Sequence, residues 1–169
     1  MYSDDLSILL RVLIACLLSG LLGWEREAAG KAAGLRTHIL VCIAAVLFTV
    51  AGQFMAVSFA AYGSHVRFDA ANLIGAIVTG ISFLGAGMII FRKDSRDVSG
   101  LTTSAGILTT AVIGMLVGLE RYFLAVGSTA IVFVVLRFVN TFEKKYLDPN
   151  TRSDSSKRNS GQSADKAND

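Results

Sequence analysis

The feature that most constrains this chain is a succession of long apolar runs: Leu6–Trp24, Ile39–Ala61, Leu73–Phe91, Leu101–Leu119 and Tyr122–Val139. A helix crossing a hydrocarbon core of ~30 Å needs about 20 mainly apolar residues, and each run approaches or exceeds that length. In a chain of 169 residues, 53% hydrophobic and 17% charged, little is left to build a water-soluble core. Strands are a poor alternative, because no run alternates over the ~10 residues a barrel strand needs and an open sheet leaves its backbone unpaired in lipid. The expected fold is therefore all-α: a polytopic bundle of about five transmembrane helices in the lipid bilayer. The break at Glu120-Arg121 is short, and it predicts a broken helical hairpin rather than one very long helix. The transmembrane domain is expected over residues 1–147, with a disordered cytoplasmic tail over 148–169. That tail, TRSDSSKRNSGQSADKAND from Thr151 onward, mixes both charge signs with almost no apolar residue.

Basic residues orient the runs. The first connection holds Arg26, Lys31 and Arg36, the third Arg92, Lys93 and Arg96, and the C-terminal segment Lys144, Lys145 and more. The second has Arg67, the fourth Arg121, and the N-terminus opens on Asp4 and Asp5 with no basic residue before Leu6. The asymmetry predicts the N-terminus outside and the C-terminus in the cytoplasm. The net charge of +3 then reflects topology rather than nucleic-acid binding. A cleaved signal peptide is not expected, since the start is acidic and Arg11 interrupts the first run; the same interruption argues against lipoprotein processing at Cys16. Cys16 and Cys42 lack CxxC spacing, and His38 and His65 are expected on opposite membrane faces, so neither a metal site nor a cofactor is expected. No HExxH, nucleophile elbow or phosphate-cradling GxxxxGK occurs, and an enzyme is not expected.

Charges at the membrane's depth cost roughly 2.5–3.5 kcal/mol when placed centrally, so each asks for an account. They fall in two layers. Arg11 and Asp69 form an outer polar site, either paired with one another or separate, with Arg11 reaching the headgroups and Asp69 capping the third helix. Glu25, Arg26, Glu27, Arg36 and Thr37 form an inner site some 21 Å away along a helix. The acids exceed what topology requires: they pair with Arg36 or a base of the third connection, or they meet a cation or a protein partner. Thr102 and Thr103 either start the fourth helix or line a polar cavity beside Glu25. Small residues mark helix packing, within the chain or in a homo-oligomer: Gly80, Gly85 and Gly87 in GAIVTGISFLGAG, and the GxxxG of Gly114 and Gly118.

The stretch GWEREAAGKAAGLRTHILVCIAAVLF, followed by GISFLGAGMII and SGLTTSAGI, resembles the MgtC/SapB family of bacterial inner-membrane proteins. The motifs occur in the family's order and cover most of Arg11 to Gly118. The resemblance points to Glu25, Arg26, Glu27, Gly34, Leu35, Arg36 and Thr37, to Asp69, Gly80, Phe83, Leu84, Gly85, Ala86 and Gly87, and to Gly100, Leu101, Thr102 and Thr103. Ala70, Asn72, Ala76 and Ser82 depart from the family's pattern. What it implies is a compact form without the soluble C-terminal domain of some members, tied to magnesium limitation, acid stress or survival inside host cells. It favours a regulator that binds another integral membrane protein; the alternative is a small ion transporter with polar stations at Glu25 and Asp69.

Overall fold

The structure, a computed structural model, describes residues 2–60, 69–90 and 100–146. His65, Arg67, the connection carrying Arg92, Lys93, Arg96 and Ser99, and the tail from residue 147 lie outside the described residues. Those described form five α-helices: α1 Tyr2–Ala28, α2 Leu35–Ala60, α3 Ala70–Ile90, α4 Leu101–Gly118 and α5 Tyr122–Tyr146. Four carry stretches long and apolar enough to cross a membrane: Asp5–Ala28, Leu35–Phe59, Ala70–Ile89 and Leu101–Gly118. The fifth expected span falls on α5, where the apolar stretch Tyr122–Phe138 is shorter and the helix runs on to Tyr146.

The chain divides into two compact units at Phe133, the second beginning with the later turns of α5. Within the first, α2 packs against both α1 and α4, while α3 rests mainly on α4. One face of each central helix is buried at helical spacing. On α1 these are Ala15, Ser19, Leu22 and Arg26; on α2 His38, Cys42, Ala45 and Thr49; on α4 Thr103, Ile107, Thr110, Gly114 and Val117. Small residues let α4 sit close on α2. A Cβ on Gly114 would lie 2.5 Å from the Cys42 carbonyl oxygen, and one on Gly118 would lie 2.8 Å from Thr49 Cβ. The GxxxG pair is thus spent inside the chain.

Two helices end in the same way. After α1, Gly30 takes a left-handed φ of 66°, with Gly30 N–H donating to Glu27 O and Lys31 N–H to Arg26 O. After α4, Glu120 takes a φ of 63°, with Glu120 N–H donating to Val117 O and Arg121 N–H to Leu116 O. Both are Schellman ends, which reverse the chain within a few residues. The second breaks the apolar run at the expected place, Glu120-Arg121, and separates α4 from α5.

Candidate functional site

The charged stretch expected to be a connection is mostly helix. Glu25, Arg26 and Glu27 occupy the last turn of α1, so successive side chains leave the helix about 100° apart. Trp24 is 65% exposed and Glu27 is exposed, whereas Arg26 is 2% and Glu25 8% exposed. Arg26 lies on the face already buried through Ala15, Ser19 and Leu22, which turns its guanidinium into the bundle. Its Nη2 donates to Thr103 Oγ1 on α4 at 2.8 Å. Thr103 therefore lines the inner cluster, while α4 begins at Gly100 in a left-handed conformation with no side-chain cap. Thr102 beside it is exposed.

Glu27 serves the turn. Its Oε2 accepts from the Leu35 backbone N–H at 2.8 Å, satisfying one of the open donors at the start of α2. A Cβ on Gly34 would lie 2.8 Å from that same oxygen, so glycine keeps the carboxylate in place. Arg36 is exposed and Thr37 half-buried in the first turn of α2. His38, one residue on, is fully buried. Its Nδ1 lies 2.7 Å from Thr110 Oγ1 on α4, and its Cβ lies 3.0 Å from where a Cβ on Gly23 of α1 would stand. The inner site thus joins α1, α2 and α4 through Glu25, Arg26, His38, Thr103 and Thr110. Thr110 was not named from the sequence, and His38, read there as an interfacial residue, is instead buried; the signal was the spacing of His38, Cys42, Ala45 and Thr49, which marks one helix face.

Of the two arrangements open for the outer layer, Arg11 paired with Asp69 or the two separate, the structure has them separate. Arg11 ion-pairs with Glu120 and donates from Nη1 to the Gly118 carbonyl at 3.0 Å. It thereby binds α1 to the end of α4, where the last carbonyls lack helical partners. Asp69 caps α3, its Oδ1 accepting from Ala71 N–H at 2.9 Å and Asn72 N–H at 3.2 Å. The physical reason is the turn after α4: the left-handed Glu120 brings an acid and a free carbonyl together beside Arg11. Glu120→Gly removes an ion pair whose carboxylate is exposed, worth about 0–1 kcal/mol, but also relieves a left-handed residue costing about 1–2 kcal/mol. Its net effect on stability is expected to be small. Arg11→Met, which abandons both acceptors, is expected to lower the melting temperature in detergent more than Glu120→Gly; the reverse order would refute this account of the outer site.

The glycines singled out for packing also separate. Gly85 faces Ser104, whose Oγ reaches the Gly85 carbonyl at 2.9 Å, and Gly114 and Gly118 face α2. Gly80 and Gly87 have nothing within 4 Å of where a Cβ would stand. Beside Gly80, α2 and α3 form a half-open groove of about 480 Å³, lined by apolar residues including Val41, Ala44, Phe48, Ile77 and Leu84. Among the described residues, no group of three or more His, Cys, Asp or Glu is placed to hold a metal ion.

Comparison with known proteins agrees with this arrangement of motifs. The model of the MgtC family matches residues 12–145. The chain belongs to the MgtC family. Its similarity to the proposed magnesium transporter YhiD of Escherichia coli K12 is 34% identity over 144 residues, 84% of this chain and 65% of that protein. Protein SapB of Bacillus subtilis strain 168 is 34% identical over 80% of this chain and 57% of its own length. Protein MgtC of Brucella abortus strain 2308 is 39% identical over 62% of this chain and 39% of its own. The MgtC-family region described here therefore spans about two thirds or less of each of these relatives. No solved structure matches the chain.

Proposed function

We propose that this MgtC-family chain is a non-enzymatic regulator that docks on another integral protein of the bacterial inner membrane, in a setting of magnesium limitation, acid stress or intracellular survival. The observation that carries this reading is the surface of α3. Gly75, Gly80 and Gly87 have open space above them, Phe83 beside them is 79% exposed, and the adjoining groove is apolar. Close approach over small residues is how membrane helices associate when no water is present to drive them together. A transporter is the second reading, favoured by the name of the E. coli relative. Against it, the acid at the inner site, Glu25, stands beside the Arg26 cation, and a divalent ion would be repelled from that position.

The test pairs two measurements. Purified protein in liposomes is expected to give no Mg²⁺ entry above empty vesicles, with Glu25→Gln indistinguishable from wild type. Phe83 replaced by benzoylphenylalanine in native membranes is expected to crosslink to an integral membrane protein upon illumination. A robust Mg²⁺ flux abolished by Glu25→Gln would overturn the regulator in favour of the transporter. Orientation enters the same reading: the N-terminus faces outward and the C-terminus the cytoplasm, as the distribution of Lys and Arg favours. A reporter fused after Val139 is expected to be active only as a cytoplasmic fusion, and activity on the outer side would reverse the arrangement.

A further inference from the structure

Three buried polar atoms of the inner cluster have no hydrogen-bond partner among the described residues: Glu25 Oε2, Arg26 Nε and His38 Nε2. The tautomer of His38 follows from its neighbour. Thr110 Oγ1 donates to the Gly106 carbonyl at 2.9 Å, and a hydroxyl has one proton to give. The same oxygen, 2.7 Å from His38 Nδ1, therefore accepts from an Nδ1–H, which leaves the neutral ring with a lone pair on Nε2.

The direction of the ring follows from Gly106. Cε1, the atom between the two nitrogens, lies 3.8 Å from the position a Cβ on Gly106 would take. Gly106 is one turn from Thr110 toward Thr103, so the imidazole extends along α4 toward the end where Arg26 binds Thr103. Arg26 is within electrostatic reach of both Glu25 and His38. Glu25 and Arg26 are consecutive on α1, and consecutive helical side chains do not face each other, so a direct bond does not satisfy Arg26 Nε and Glu25 Oε2. One donor and two acceptors, all buried and unpaired, therefore belong to one cluster: Arg26 is held at Thr103, and the His38 ring lies by Gly106, about one turn further along α4.

The geometry points to an internal water-binding site in this cluster, served by Glu25, Arg26 and His38. One water molecule accepts from Arg26 Nε–H and donates to His38 Nε2 and Glu25 Oε2. Three hydrogen bonds to otherwise unpaired buried groups is the usual complement of an internal water. It connects α1 to α2 at the point where both meet α4, and it gives His38, fully buried within an apolar span, a second polar partner.

The experiment uses the full chain in lipid nanodiscs, ¹⁵N-labelled at histidine, with His65→Gln so that His38 alone reports. The expected spectrum shows a neutral ring protonated at Nδ1, an Nε2 resonance shifted from the free lone-pair position by hydrogen bonding, and a cross-peak between His38 Hε1 and water. An Nε2-protonated tautomer, or an absent water cross-peak, would overturn the proposal from the wild-type ring alone.

Discussion

Arg26→Met is expected to destabilise the folded chain by roughly 3–5 kcal/mol, the loss typical of removing one partner from a buried ionic cluster. The guanidinium is 2% exposed, bonds Thr103 on α4 and stands beside the nearly buried Glu25. Taking it away leaves an acid with no counter-charge and a hydroxyl with no donor in the same low-dielectric pocket. The combined variant Glu25→Gln with Arg26→Met removes both charges and is expected to cost less than Arg26→Met alone, because replacing a whole buried pair is often near neutral. Reversible unfolding in mixed SDS micelles measures both. A loss below about 1 kcal/mol for Arg26→Met, the scale of an exposed pair, would show that the side chain is not held inside the bundle.

Gly114→Ala is expected to cost about 1–3 kcal/mol, as overpacking a tight contact does. The added methyl would meet the Cys42 carbonyl at 2.5 Å and Ala45 Cβ at 2.9 Å, so α2 and α4 must separate. Gly80→Ala is the informative contrast, since its methyl meets nothing within 4 Å and replaces a poor helix former. In the isolated chain it is expected to be neutral or slightly stabilising. Equal losses at the two positions, measured by the same unfolding assay, would contradict the assignment of Gly114 to the α2 contact and Gly80 to an open face.

The two glycines read alike in the sequence, and the reason lies in the solvent. In water, the apolar stripe of a helix marks the face that turns inward. In lipid both the inward face and the bilayer face are apolar, so α2 and α4 carry no stripe from which their rotation can be read. The polar residues were legible as exceptions: Glu25, Arg26 and Thr103 stood out because a charge or hydroxyl is costly at membrane depth. Their neighbour His38 was less visible, since it sat where an interfacial residue is ordinary. Asp69 kept its capping role, which needs only local geometry, while the partner of Arg11 depended on a turn made by a residue far away in the sequence, Glu120.

By itself the sequence determined that the chain is helical, roughly where each helix begins and ends, and to which family it belongs. The bilayer enforces this, because only runs of about 20 apolar residues with internally bonded backbones can cross it. The tertiary structure alone decided how each helix is turned about its axis. That rotation puts Arg26 inside and Glu27 outside, gives Gly114 to α2 while leaving Gly80 open, and assigns Arg11 to Glu120. A helix that is apolar all round has no preferred face until close packing and buried hydrogen bonds choose one.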